Sequence, residues 1–277
     1  MKQLLLIFLA FLTLTTTKAQ SLRIPQPSPA QTIKQDFGLG SIEISYSRPS
    51  AKGRTVYGDL VPYGDIWRTG ANSATTISFS DEVSINGVKI PAGKYGLLTI
   101  PGEKEWTLII SKQTNVTSPA DYKQDQDLVR VVVQPAVSAT PTETFTIQIA
   151  NIKNTSCDVQ LIWEKTIVAL AVTTEIDTKV MKQIENTLVK DNRPYFSGAF
   201  YYSENNKDLN QAISWYDKAI EQNPKGYWIY YQKARTLLKM GRKQEALIMS
   251  QKSMELAREE KDDTYVRHNE KLQKELK

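Results

Sequence analysis

The chain of 277 residues contains one cysteine, Cys157, and one histidine, His268. A single cysteine forms no intrachain disulfide, so the fold must be held by its apolar core. A lone histidine near the C-terminus excludes a Ser-His-Asp or Cys-His site in the rest of the chain. It also excludes multi-histidine and thiolate metal sites. Cys157 is therefore expected as a small buried apolar residue, and His268 as a surface helix residue. Phosphate-cradling glycine loops are missing too, since no G-x-G-x-x-G follows a predicted strand. No metal and no cofactor is expected. Excess charge is also scarce. The net charge is +5, but Lys2 and Lys18 lie in the first 19 residues, and residues 21–174 hold 14 basic and 14 acidic side chains. Residues 175–277 hold 19 basic and 16 acidic side chains with no basic block, which argues against a nucleic-acid partner.

Long apolar runs are confined to the N-terminus. Lys2, the stretch Leu4–Leu14 and Thr17-Lys18-Ala19 supply the three parts of a secretory signal peptide, predicted over residues 1–19. The run is short for a bilayer span, so no membrane anchor is expected after cleavage. Export to the periplasm or the medium is the expected localisation.

Charge and turn residues divide the remainder of the chain. About 18% of residues 21–174 are charged against about 34% of residues 175–277, and ten of the 13 glycines and ten of the 12 prolines lie in the first part. Residues 20–173 are predicted as one domain and 174–277 as another. In the first, Ile42, Ile44 and Tyr46 alternate with polar residues, as in a half-buried strand. Asn86-Gly87 between Val83-Ser84-Ile85 and Val88-Lys89-Ile90 predicts a tight hairpin. Val159–Glu164 and Thr166–Val172 are predicted as separate strands. About ten short strands without βαβ alternation predict an all-β sandwich or barrel.

In the second part the period changes. Ile176, Val180, Ile184 and Leu188 stand four apart on one helix face. Ala212 and Ala246 are 34 residues apart, the period of a tetratricopeptide repeat. Ala212, Tyr216, Ala219 and Pro224 fit one unit of that pattern, and Ala234, Leu237, Gly241 and Ala246 fit the next. About two repeats are predicted over 194–260, with a capping helix at Thr264–Leu276. Phe200 is large where a small residue is expected, and Ser250 and Ser253 replace an aromatic and an alanine.

The richest candidate site is "YGDLVPYGDIWRTGANSATTISFS", Tyr57–Ser80. Arg54 and Arg68 can fork onto a carboxylate or phosphate. Tyr57, Tyr63 and Trp67 offer faces for stacking, and Asn72 adds a hydrogen-bonding group. The alternative is structural: Trp67 in the core, Arg68 on loop carbonyls and Asn72 in a turn. Glu43, Asp59 and Asp65 are the carboxylates a hydrolytic pair would need, although each Tyr-Gly-Asp also suits a turn. Asp121, Asp125 and Asp127 are expected to form a solvated acidic loop.

"SRPSAKGRTVYGDLVPYGDIWRTGANSATTISFS", "INGVKIPAGKYGLLTIPGEKEWTLIISK", "VRVVV" and "LIWEKT" together resemble the exported bacterial family designated DUF2911, over residues 22–172. The resemblance implies export, occurrence largely in Bacteroidetes-type bacteria and tetratricopeptide-like helices behind the domain. It implies no established activity. The chain departs from the family pattern after Ile110, where "QTNVTSPADYKQDQD" replaces an expected Trp-Gly.

The residues allow three readings of function. In the first, a non-enzymatic exported module binds a small ligand or glycan through its β domain and a protein or peptide through its repeats. In the second, it is a carboxylate-dependent hydrolase of a glycan or cell-wall polymer. In the third, it is a purely structural envelope protein. The absent triad, metal set and nucleotide loop lean away from enzymatic activity.

Overall fold

The computed structural model describes residues 24–191 and 194–276. The signal peptide read over residues 1–19 lies outside the described residues. The chain divides into two compact units, one ending at Glu175 and the other starting at Ile176.

The first unit is a β-sandwich. Its larger sheet holds β1 (Ala30–Phe37), β2 (Gly40–Ser47), β3 (Thr76–Phe79), β6 (Gly93–Ile100), β7 (Trp106–Ser111) and β8 (Asp127–Val133), antiparallel in that order. The smaller sheet runs β5 (Val88–Ile90), β4 (Val83–Ile85), β10 (Ser156–Thr173), β9 (Ala136–Ala150). Asn86 and Gly87 take φ of 50° and 78°, the mirror-image turn that closes β4 onto β5. Ile42, Ile44, Ile77, Leu97 and Leu108 from one sheet share a single core with Ile85, Phe145, Leu161 and Val172 from the other.

The strands predicted at 159–164 and 166–172 are one strand. β10 runs 18 residues and absorbs the irregularity as a bulge around Glu164, whose φ is 49°. An extra residue bends a strand and increases its twist without ending it.

The central strands β6 and β7 are covered on both faces. Leu97, Leu108 and Ile110 point into the sandwich, while Leu98 and Ile109 are sealed from outside by Ile66, Val116 and Tyr122. This double cover explains the consecutive apolar residues of "GLLTI", broken only by buried Thr99, and of "LII", which replace the alternation of a half-exposed strand.

The second unit is helical: α1 (Asp177–Asp191), α2 (Tyr195–Glu204), α3 (Leu209–Gln222), α4 (Tyr227–Lys239), α5 (Lys243–Glu259) and α6 (Asp263–Leu276). Three of its turns share one construction. Asn206, Gly241 and Lys261 take left-handed φ of 53°, 74° and 61°. The next N–H then returns five residues: Lys207 to the Tyr202 carbonyl at 3.0 Å, Arg242 to Leu237 at 2.9 Å and Asp262 to Ala257 at 2.8 Å. These are Schellman ends, which satisfy carbonyls left open by the helix.

Aligning these turns corrects the reading of Phe200. Asn206 matches Gly241, so the small position opposite Ala234 is filled by Ala199, fully buried, while Phe200 is 39% exposed. The extra residue lies in the α2–α3 turn, where Asp208 caps α3 by accepting from the Asn210 and Gln211 N–H groups. Ser250 and Ser253 also find their explanation. Both are fully buried against Asn269 of α6, which accepts from Ser250 Oγ at 2.9 Å and donates to Ser253 Oγ at 2.9 Å. A polar side chain from the last helix occupies the space that an aromatic residue would fill.

Candidate functional site

Beyond the Thr76 end of β3, residues 66–69 take its place beside β6. Trp67 N–H donates to the Thr99 carbonyl at 2.7 Å, and Thr99 N–H donates back at 3.0 Å. Side chains on such a segment alternate between faces. Trp67 packs against the core and buried Thr69 bonds Thr99 Oγ1 at 3.1 Å, whereas Ile66 joins the outer cluster and Arg68 lines a cleft. The Trp-Arg pair is thus split between core and site.

On the core side, Trp67 stacks on Trp163 at 6.1 Å and meets Phe145 edge-on at 5.1 Å. Tyr57 inserts edge-on against Trp67, Trp106 and Trp163 at 6.4, 4.9 and 6.2 Å. Burial drives the Tyr57 phenol well above its ordinary pKa, with nearby Glu164 adding to the effect. Trp67 Nε1 donates to the Gly70 carbonyl at 3.0 Å, so its polar edge is satisfied within the loop.

Backbone strain is concentrated in the same segment. Thr69 has φ of 58°, a conformation that strongly disfavours a β-branched residue. It is held by Thr75 Oγ1, which donates to the Thr69 carbonyl at 2.7 Å. Such strain costs about 1–3 kcal/mol and persists only where the surroundings fix it. Its effect here is to turn the chain directly after Arg68.

The cleft on the outer side has a volume of about 420 Å³. Trp67 and Trp163 contribute to its lining, and Leu60, Pro62, Val116 and Pro119 extend the apolar part. Its charged lining residues are Arg54, Asp65 and Arg68. Arg68 Nη1 donates to the Thr117 carbonyl, while its Nε is buried and has no partner among the described residues. Arg54 donates Nε to Ala51 at 2.9 Å and Nη2 to Ser50 at 2.8 Å, both backbone carbonyls. Among the described residues neither guanidinium has a carboxylate partner.

The other expected site residues lie elsewhere. Tyr57 is in the aromatic core. Tyr63 is 41% exposed and covers Gly58, away from the cleft lining. Asn72 donates to the Ser28 carbonyl at 3.0 Å and takes φ of 56°, a turn role. Of the three carboxylates only Asp65 lines the cleft. Glu43 lies mid-strand on β2 in register with Lys34 and Ser78, and Asp59 is an exposed loop residue. The acid pair a hydrolase needs is not assembled there. Cys157 is buried, and burial raises its thiol pKa to about 11, which keeps it protonated. His268 is exposed and stacks on Tyr231 at 5.7 Å.

The doubled Tyr-Gly-Asp forms two turns, with Gly58 at φ 90° and Gly64 at φ 83°. A Cβ at Gly58 would also lie 2.9 Å from the Tyr63 ring. Gly58→Ala is expected to destabilise the β unit by about 1–3 kcal/mol, read from its urea midpoint.

Sequence reasoning missed the far wall of the cleft, which is the 112–126 segment. Its acidic residues are not uniformly solvated. One oxygen of Asp121 accepts from Ser118 N–H at 3.0 Å, Thr117 Oγ1 at 3.1 Å and Ser118 Oγ at 3.2 Å. These bonds, the Ser118 N–H first, hold its carboxyl below the ordinary carboxylate value. Asp127 is buried beneath Tyr122 and Arg130, and desolvation raises its pKa instead. The local signal was "SPAD", a serine three residues before an acid, the spacing of a capping box.

A depressed folded pKa means that Asp121 contributes stability above the ordinary carboxylate value and loses it as pH falls through the folded one. Asp127 has the opposite sign, its contribution falling as pH rises above that value. Amide protection at residues 116–122, taken as the observed exchange rate relative to the intrinsic rate at the same pH, is therefore expected to fall on acidification in the native chain. In Asp121→Asn that protection is expected to be low already at neutral pH and to change little with pH.

A β-sandwich with a cleft at its signature loop, followed by paired helices with matched turns, defines a two-part protein with a tetratricopeptide-type second unit. The chain belongs to the DUF2911 family, described as a protein of unknown function, whose model matches residues 28–172. Tetratricopeptide repeat models match residues 199–225 and 215–248. The human DnaJ homolog subfamily C member 7 is 41% identical over 70 residues, which are 25% of this chain and 13% of that protein. The chain thus spans a small fraction of this relative's length. No solved structure matches. Among the described residues, no helix is long and apolar enough to cross a membrane, and no cluster of three His, Cys, Asp or Glu could hold a metal.

Proposed function

We propose that this is an exported bacterial protein that acts by binding, its repeats docking a protein or peptide segment while its β unit takes a small ligand. The observation that carries the protein-docking half is an aromatic ladder joining α4 and α6. Tyr227 meets Tyr265 at 5.0 Å, and Tyr231 meets Tyr265 at 5.5 Å and His268 at 5.7 Å. The three tyrosines are half-buried and His268 is exposed, so apolar ring surface is held rigidly within reach of a partner. Tyrosines combine large contact area with low conformational entropy, which suits interfaces. Likeness to repeat proteins supports the same reading, since stacked helical pairs form extended binding surfaces.

Cross-linking the protein in envelope extract tests this reading. A partner whose recovery falls in Tyr231→Ala, at unchanged melting temperature, supports it. Absence of any partner together with turnover of an envelope polymer would sink it.

A further inference from the structure

We propose that the cleft beside Arg68 binds a small organic acid, a single carboxylate carried on an apolar body. This rests on the reading of the β unit as a binding module. Charge comes first. Two guanidiniums and one carboxylate line the cleft, a surplus of one positive charge, and the backbone carbonyls they bond do not neutralise it. A monoanion matches that surplus, whereas a phosphate dianion would also face Asp65. Guanidinium carries five donors in a planar fork suited to carboxylate. Arg54 uses two of its nitrogens on the turn at Ser50 and Ala51, which fixes the group in place. Arg68 keeps its Nε unpartnered among the described residues. Buried donors without partners are rare and call for an acceptor.

The rest of the lining selects the body of the ligand. Proline, valine and leucine side chains and two tryptophans supply the apolar part of the lining, and its volume of about 420 Å³ lies in the range of small-ligand pockets. A glycan suits it poorly. Sugar rings stack on exposed indole faces, but Trp67 and Trp163 face each other with an interplanar angle of 20°, and Phe145 packs against both. Neutral hydroxyls in the lining are limited to Ser28, Thr117 and Ser118, too few for the hydroxyl pattern of a sugar.

Calorimetric titration of the purified protein with 4-phenylbutyrate, its neutral amide 4-phenylbutanamide, and acetate tests the proposal. The acid is expected to bind at one site and to weaken with added salt. The amide should bind about tenfold or more weakly, the difference made by a charge-assisted hydrogen bond. Acetate, lacking the apolar body, should give no saturable heat at the same concentrations. Arg54→Gln should weaken the acid about tenfold without affecting the amide, and Lys94→Gln, which removes a positive charge outside the cleft, should change neither. Equal affinity for acid and amide would overturn the charge argument while leaving a ligand-binding cleft in place. Silence from both would overturn the cleft as a ligand site as well.

Discussion

Alanine at position 67 is expected to remove about 3–5 kcal/mol from the β unit, the cost of deleting a large, half-buried aromatic side chain packed against the core. Trp67 touches Tyr57, Trp106, Phe145 and Trp163 at once, so the cavity would open in the densest aromatic contact of the core. The Gly70 carbonyl would also lose its indole donor. For a unit of this size the loss corresponds to roughly 6–20 °C in melting temperature. Trp67→Phe keeps most of the ring and is expected to cost far less. Calorimetric melting of both variants tests the core role, and an alanine variant within about 1 kcal/mol of the native protein would contradict it. A reading of Trp67 as a ligand-stacking surface predicts the reverse pattern, with stability retained and binding lost.

Asn269→Ala should have the second-largest effect, in the helical unit. Asn269 accepts from Ser250 Oγ and donates to Ser253 Oγ and to the Tyr265 carbonyl at 2.8 Å. Ser253 passes the chain on to the Tyr227 carbonyl at 2.8 Å, and Gln273 donates to Ser250 at 3.2 Å. Asn269, Ser250 and Ser253 are all fully buried. Truncation leaves two hydroxyls short of partners and creates a void between α5 and α6. Both effects point the same way, and about 2–4 kcal/mol is the expected cost. Urea unfolding followed by the helical dichroism signal measures it. A shift below about 1 kcal/mol would mean that water takes over the bonds of the amide. The same network makes α6 an integral part of the stack, beyond a cap laid over its end.

Much of the architecture was legible because local signals agreed with the fold. Alternation at Ile42–Tyr46, the Asn86-Gly87 turn and the spacing of Ala212 and Ala246 each carry a direct geometric meaning. β10 was not legible as one strand. Glu164 interrupts the alternation, and a bulge and a turn leave the same gap in a pattern. Phe200 was misplaced because a repeat period measured between α3 and α5 does not reveal an extra residue in a turn. At the site, Arg54, Asp65, Trp67 and Arg68 were identifiable by residue type. Their division between core and cleft was not, because it depends on residues 66–69 pairing with Thr99, a contact across 32 residues of sequence. Tyr63 and Asn72 looked equally suited to binding, but one shields Gly58 and the other ties the loop to Ser28. The far wall of the cleft was invisible for a similar reason. Asp121 is exposed yet organises its own loop, a role that composition cannot separate from a solvated acidic patch.

That wall has a further consequence. Lys112 N–H donates to the Gln126 carbonyl at 2.9 Å, and Ser111 pairs with Asp127 in the sheet, so the segment leaves and rejoins the sandwich at adjacent points. Its internal polar bonds centre on Asp121 and Gln113, and Arg68, Ser111, Asp127 and Arg130 tie it to the sandwich. Val116 and Tyr122 pack onto strands already buried on their other face. A segment joined in this way is an exchangeable cassette. The strands of the scaffold can stay unaltered while a different insert between positions 111 and 127 reshapes the wall formed by Val116–Pro119, provided that it offers Arg68 a carbonyl in place of that of Thr117. Divergence of specificity among related chains, or its redesign in the laboratory, can proceed there without a repacked core.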